Sequence, residues 1–122
     1  PDHWDLIEGQ GSIFHPSYSG VTMALIHGGQ PDALILCDEP NRPHMRGLPG
    51  YKAQSLEILR DTALQLARIV NPDCKVTGIS LNTSAMGDDE ALDYAAKVEE
   101  RMGLPTVDPY RHGAMRLVDG LS

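Results

Sequence analysis

The residues richest in chemistry lie between positions 8 and 20. The string Glu8-Gly9-Gln10-Gly11-Ser12-Ile13-Phe14-His15-Pro16-Ser17-Tyr18-Ser19-Gly20 holds a carboxylate, an imidazole, four hydroxyls and three glycines. Glu8 can act as a base, or hold Mg²⁺ through a water in the manner of sites built from one or two carboxylates and substrate phosphates. It can equally accept hydrogen bonds from the amides of the turn behind it. Gly9 and Gly11 let the backbone approach a bound molecule closely and are candidate cofactor contacts. Ser12 and Ser17 can donate to a phosphate or carboxylate, and with Gln10 and Tyr18 they form a substrate-binding set. A nucleophilic serine is disfavoured, because Gly-Gln-Gly-Ser-Ile lacks the second flanking glycine of a nucleophile elbow. His15 is a candidate general acid or base. It is just as well read as a loop histidine bonded to backbone, and the sequence leaves both readings open.

Other residues join this set. Asn41 to Lys52 is a long loop rich in Pro and Gly, and such loops are often functional. It carries His44 and Arg46, both candidate substrate contacts, and Arg46 offers a fork suited to carboxylate or phosphate. A solvated loop arginine is the plainer alternative. Two further strand-like runs end in Asp38-Glu39 and in Asn82-Thr83-Ser84. Asn82 and Thr83 are candidate cofactor contacts. His3, His27 and His112 read as structural or exposed. The histidine spacings fit no zinc motif, and Cys37 and Cys74 form no CxxC, so no metal ligand set is assigned.

The elements that would position these groups follow from hydrophobic pattern. Trp4–Glu8 reads as a first strand. Gly20–His27 reads as a short helix capped by Ser19 and stopped by Gly28-Gly29. Ala33–Cys37 is a continuous apolar run, as in a strand covered on both faces. Ser55–Val70 is a helix with Leu56, Leu59, Ala63, Leu66 and Val70 on one face. Val76–Leu81 is a third strand. Asp88–Met102 is a second long helix with Leu92, Ala95, Val98 and Met102 inward, and its acidic first turn suits the helix dipole. Gly103 stops it. Thr106-Val107 is a brief last strand, and 113–121 a last short helix. The order βαβαβαβα predicts an α/β fold, a mainly parallel sheet with helices on both faces. In such a sheet Glu8, Asp38 and Asn82 share the carboxyl edge, where open α/β folds bind ligands.

Composition narrows the classes. With 122 residues the chain suits one domain, 1–122. A net charge of −7 argues against nucleic acid, which needs a basic face. No apolar run approaches the ~20 residues of a membrane span. Two separated cysteines make no disulfide framework, so a cytoplasmic location is expected. The partner expected is a small molecule, and a free sheet edge allows a homo-oligomer. The chain opens on Pro1 and is inside a strand-like run by Trp4, which suggests a C-terminal piece of a longer protein or a chain cut upstream.

The string Glu8-Gly-Gln-Gly-Ser-Ile-Phe-His15-Pro-Ser-Tyr-Ser-Gly-Val21, with Cys37-Asp-Glu-Pro40 and His44-Met-Arg-Gly-Leu-Pro49, resembles the C-terminal P-loop-type domain of the D-glutamate N-acetyltransferase-like family, long known as a domain of unknown function. More distantly, Asp5–Ser12 resembles the acidic strand of dethiobiotin synthetase-like P-loop proteins. The resemblance implies a P-loop NTPase-like fold, although no GxxxxGK[ST] segment occurs in the chain. It implies acetyl transfer from acetyl-CoA to the amino group of D-glutamate; for that reaction the residue chemistry offers Glu8 or His15 as base and Arg46 to receive a carboxylate. It also places Asn82 near the adenine of CoA. Two other readings stand beside it: an ATP- and Mg-dependent ligase or kinase-like enzyme, and a non-catalytic nucleotide-binding domain.

Overall fold

A strand with no polar residue before its last position needs cover and a paired edge, and Ala33–Asp38 obtains the pairing from the strand after the long helix. The computed structural model describes residues 3–122. Its elements run α1 (Ser19–Gly29), β1 (Ala33–Asp38), β2 (His44–Met45), β3 (Leu48–Lys52), α2 (Leu56–Val70), β4 (Lys75–Leu81), α3 (Asp88–Met102), β5 (Thr106–Val107), α4 (Pro109–His112) and α5 (Met115–Asp119). The sheet has the order β1-β4-β5, parallel throughout. A separate antiparallel hairpin, β2-β3, fills the long loop after β1.

Helices lie on both faces of the sheet, as the alternating pattern predicts. Leu36 and Ile79, paired across β1 and β4, join Leu81, Leu56 of α2 and Ala95, Val98 and Met102 of α3 in one core. Successive strand side chains point to opposite faces, so Gly78 faces away from Ile79. There it meets α5: a Cβ on Gly78 would come within 2.7 Å of Leu117 Cδ2. Thr77 is an extra residue in β4, because Leu34 pairs with Val76 and Ile35 with Gly78. This bulge returns Val76 to the same face as Ile79 and Leu81, where it packs on the core. Thr77 Oγ1 is buried without a hydrogen-bond partner among the described residues.

The long helices follow their sequence signals. Ser55 caps α2, its hydroxyl accepting from the Ile58 amide at 3.2 Å. Gly103 ends α3 in the left-handed conformation at φ 68°, the region glycine tolerates best. Two inward assignments shift by one position: Ala91 rather than Leu92 is buried in α3, and Ala67 is buried in α2. Leu92 is exposed. A residue's neighbour on the helix lies 100° away, so the smaller alanines set the close approach and leave the leucine at the rim.

The expected first strand is a correction. Trp4–Glu8 forms no ladder with any described strand. It runs instead along α1: Ile7 sits against Gly29, Gly9 against Thr22, and the Thr22 hydroxyl donates to the Gly11 carbonyl at 2.8 Å. Trp4, Leu6 and Ile7 are exposed there. An apolar run becomes a strand only where a neighbouring strand satisfies its backbone, and α1 offers none. α1 itself spans two residues more at its end than expected, stopping at Gln30, φ 49°. The region 113–121 holds α5, with α4 just before it.

Ile79 is fully buried and Ile69 is 69% exposed. Ile79→Ala is therefore expected to destabilise by about 2–5 kcal/mol and Ile69→Ala by less than about 0.5. Urea unfolding midpoints check both; equal shifts would contradict the core described.

Candidate functional site

Residues 8–20 form a tight turn leading into α1. The His15 amide donates to the Ser12 carbonyl at 3.0 Å, and the Tyr18 and Ser19 amides donate to the His15 carbonyl at 3.0 and 2.8 Å. The Ser19 hydroxyl donates to the Ile13 carbonyl at 2.5 Å. Ser12 Oγ accepts the Phe14 amide at 3.1 Å, so its own proton remains free to donate outward. Gly11 is closely packed. A Cβ there would lie 3.0 Å from Tyr18, whose ring stands over His15 at 4.7 Å. Glu8, Gln10, Ser12, Ser17 and Tyr18 are exposed along this turn. Glu8 has no hydrogen-bond or ion-pair partner among the described residues.

His15 is buried, 8% exposed, and both ring nitrogens meet backbone. Nδ1 accepts the Ser17 amide at 3.2 Å, and Nε2 lies 3.1 Å from the Arg46 carbonyl. An amide can only donate and a carbonyl only accept, which assigns the neutral ring with its proton on Nε2. Of the two readings open for His15 in the sequence, this arrangement matches the backbone-bonded one.

Arg46 sits at the tip of the β2-β3 hairpin, beside Gly47 at φ 74°. Met45 is buried and Arg46 is exposed, with no partner for its guanidinium among the described residues. His44 is half-buried. Its Nδ1 donates to the Met45 carbonyl at 2.8 Å, leaving Nε2 without a protein partner among those residues. The segment expected to be one long loop is thus a hairpin, held to the turn by the His15–Arg46 bond.

The strand ends converge. The Asn82 amide donates to the Asp38 carbonyl at 2.9 Å, continuing the β1-β4 ladder past its last pair. Cys37 is exposed at the end of β1, yet desolvation by the surrounding atoms pushes its thiol up, and the charge of Glu8 adds to it. Burial also raises Asp38, against a hydrogen bond from the Glu39 amide and the charges of Arg42 and Arg101.

Beyond Asn82 lies an open cleft of about 820 Å³, lined by Leu81, Asn82, Ser84, Asp88, Asp108, Pro109, Tyr110 and Arg111. Asn82 is exposed on its wall, its Oδ1 accepting the Ser84 amide at 3.1 Å. Tyr110 is fully exposed. Thr83 is turned inward, 1% exposed; its amide and hydroxyl both donate to Asp108 Oδ2, at 3.0 and 2.5 Å. It holds the loop and does not line the cleft. Asp108, 4% exposed, also accepts the Tyr110 amide at 3.0 Å and the Arg111 amide at 3.4 Å, as the N-cap of α4. Arg111 completes the frame through Asp88, the Thr83 carbonyl at 3.1 Å and the Met86 carbonyl at 2.6 Å.

Asp108, Tyr110 and Arg111 were not among the residues singled out from the sequence. A signal for the first existed: Asp before Pro is a strong helix start. Nothing local to the sequence marks Arg111 as the brace of a loop 23 residues earlier.

Burial alone would raise Asp108, but the hydrogen bonds from Thr83, Arg111 and Tyr110 outweigh it and hold the carboxyl below the ordinary range. A depressed native value contributes stability that is present above the unfolded value of about 3.9 and lost as pH falls through the native one. Asp108→Asn is expected to cost about 1–3 kcal/mol at pH 7 and to flatten the acid side of the stability curve. Denaturation midpoints at neutral pH and below pH 4 check this; a variant as acid-sensitive as the parent would contradict it.

Comparison with known proteins agrees with this architecture. Residues 1–118 match a family described as a domain of unknown function, DUF1611, C-terminal P-loop domain. A D-glutamate N-acetyltransferase from Tritonibacter scottomollicae is 71% identical over 121 residues, 99% of this chain and 36% of that protein. One from Pseudoalteromonas sp. is 43% identical over 119 residues, 98% of this chain and 36% of that protein. The chain therefore spans little more than a third of the length of these relatives. The crystal structure of a DUF1611 family protein from Anabaena variabilis ATCC 29413 superposes with a TM-score of 0.87 at 32% identity, over 94% of this chain and 34% of that one. Among the described residues no helix is long and apolar enough to cross a membrane. A parallel sheet flanked by helices, a glycine- and hydroxyl-rich turn and a match running through residue 118 together place the chain in the DUF1611 family, over its C-terminal P-loop domain.

Proposed function

We propose that this chain supplies part of the active site of an N-acetyltransferase that moves acetyl from acetyl-CoA to the amino group of D-glutamate or a similar amino acid. The observation that carries the reading is the 71% identity, over 99% of the chain, to a protein named for that activity. The site's geometry is compatible with it. The amine lone pair attacks the thioester carbonyl carbon and loses its proton to a base. The attack forms the N–C bond and a tetrahedral oxyanion, which then collapses to restore the carbonyl and break the C–S bond, and the thiolate leaves and is protonated. Of the two candidate bases, Glu8 is exposed and unpaired among the described residues, whereas the Nδ1 lone pair of His15 is engaged. Ser12 can donate to the oxyanion, with Ser17 and Gln10 beside it. The guanidinium of Arg46, unpartnered among the described residues, suits a substrate carboxylate, and His44 flanks it on the hairpin.

For the donor, the cleft beside Asn82 offers a flat aromatic, Tyr110, and an amide wall suited to an adenine ring. Gly9 and Gly11 are where backbone can come close to the donor. ATP and Mg²⁺ belong to the competing ligase reading. A small amino acid substrate, a cytoplasmic setting and self-association are parts of the same proposal.

The test is thiol release from acetyl-CoA with D-glutamate, using the complete protein. Turnover is expected, and Glu8→Gln should lower kcat by about 10²–10⁴ with little change in KM for acetyl-CoA. Unchanged turnover in that variant removes Glu8 as base. Mg-dependent ATP hydrolysis with no thiol release would replace acetyl transfer by the ligase reading.

A further inference from the structure

We propose that His15 is a positioning residue: a neutral imidazole, protonated on Nε2, that clamps the hydroxyl-bearing turn to the hairpin carrying Arg46. Its kinetic consequences rest on the acetyl-transfer reading; its structural content does not.

A general base needs a lone pair facing the proton it takes. The lone pair of His15 is on Nδ1, and the Ser17 amide occupies it at 3.2 Å. The other nitrogen carries the proton and gives it to the Arg46 carbonyl at 3.1 Å. The ring is 8% exposed and covered by Tyr18. A lone pair engaged in this way does not face a substrate proton.

The two bonds join parts of the chain 31 residues apart. One sets the turn at Ser17, whose hydroxyl faces solvent. The other fixes the carbonyl of Arg46 itself, and so the direction in which its side chain leaves the hairpin tip. Gly11 serves the same clamp, since any larger residue would press on the Tyr18 ring that covers His15. The imidazole therefore sets the separation between the hydroxyl donors and the guanidinium. For a small amino acid bound by its carboxylate, that separation decides where its amine lies. Misplacement by about 1 Å can cost on the order of 10²-fold in rate.

Two variants divide the functions of the ring. His15→Gln keeps an N–H of suitable reach for the Arg46 carbonyl. His15→Asn keeps an acceptor two residues before the Ser17 amide, in the geometry of an Asx turn. Neither can take up a proton at neutral pH. In the complete protein, His15→Ala is expected to raise KM for the amino acid by about tenfold or more, with Gln and Asn restoring kcat/KM to within roughly fivefold of the parent. If Gln and Asn lose as much kcat as Ala while melting like the parent, His15 carries the proton and the proposal is overturned. A long-range ¹H–¹⁵N histidine spectrum of the complete protein gives a readout independent of turnover. It should show His15 unprotonated at Nδ1 and protonated at Nε2, and a protonated Nδ1 would overturn the proposal. If the parent releases no thiol from acetyl-CoA, the acetyl-transfer reading falls and the spectrum alone decides the clamp.

Discussion

The parallel pairing of β1 with β4 is the constraint on which the rest depends. It continues one rung past the last paired residues, where the Asn82 amide donates to the Asp38 carbonyl. Parallel ladders require a crossover, and α2 supplies it while burying Leu56, Ala63 and Ala67. The ladder thus fixes two chain reversals at one edge. One opens into the hairpin that carries His44 and Arg46. The other opens into the loop held by Asp108 and Arg111. Each loop buries one methionine, Met45 in the first and Met86 in the second, and takes its placement from the sheet and the rest of its shape from polar bonds.

Those polar bonds divide the edge into two kinds of surface. Near Glu8 and the turn, charged and hydroxyl groups are exposed and several are unpaired among the described residues. Near Asp108 a buried carboxylate organises three backbone amides and a hydroxyl. The first surface has groups left to act on a bound molecule. The second is a rigid frame around open space. A buried carboxylate in this setting is costly to place and costly to remove, which is why its contribution is tied to pH.

Periodicity made the helices legible: α2 and α3 begin and end within a residue of where capping and apolar spacing put them. β1, β4 and β5 were legible for the same reason, and so was their shared edge. Trp4–Glu8 was misread because a strand is a property of pairs, and one sequence shows only one member. The hairpin was hidden among prolines and glycines whose turn chemistry is also that of loops. At the site, residue type identified Glu8, Ser12, Arg46 and Asn82 as candidates. It could not separate His15 bonded to backbone from His15 as base, because that distinction lies with Ser17 and Arg46. Thr83 shows the same limit: its hydroxyl looked available until Asp108, 25 residues later, claimed it.

Arg111 has a consequence for selectivity. Its guanidinium is the cation lining the cleft beside Asn82, and it is already committed to Asp88 and to the Thr83 and Met86 carbonyls. With Asp88 and Asp108 on the same walls, a guest entering there meets no spare positive potential. It is sorted by flatness and fit against Tyr110 and Asn82, and an anionic tail must look for its counter-charge outside that hollow.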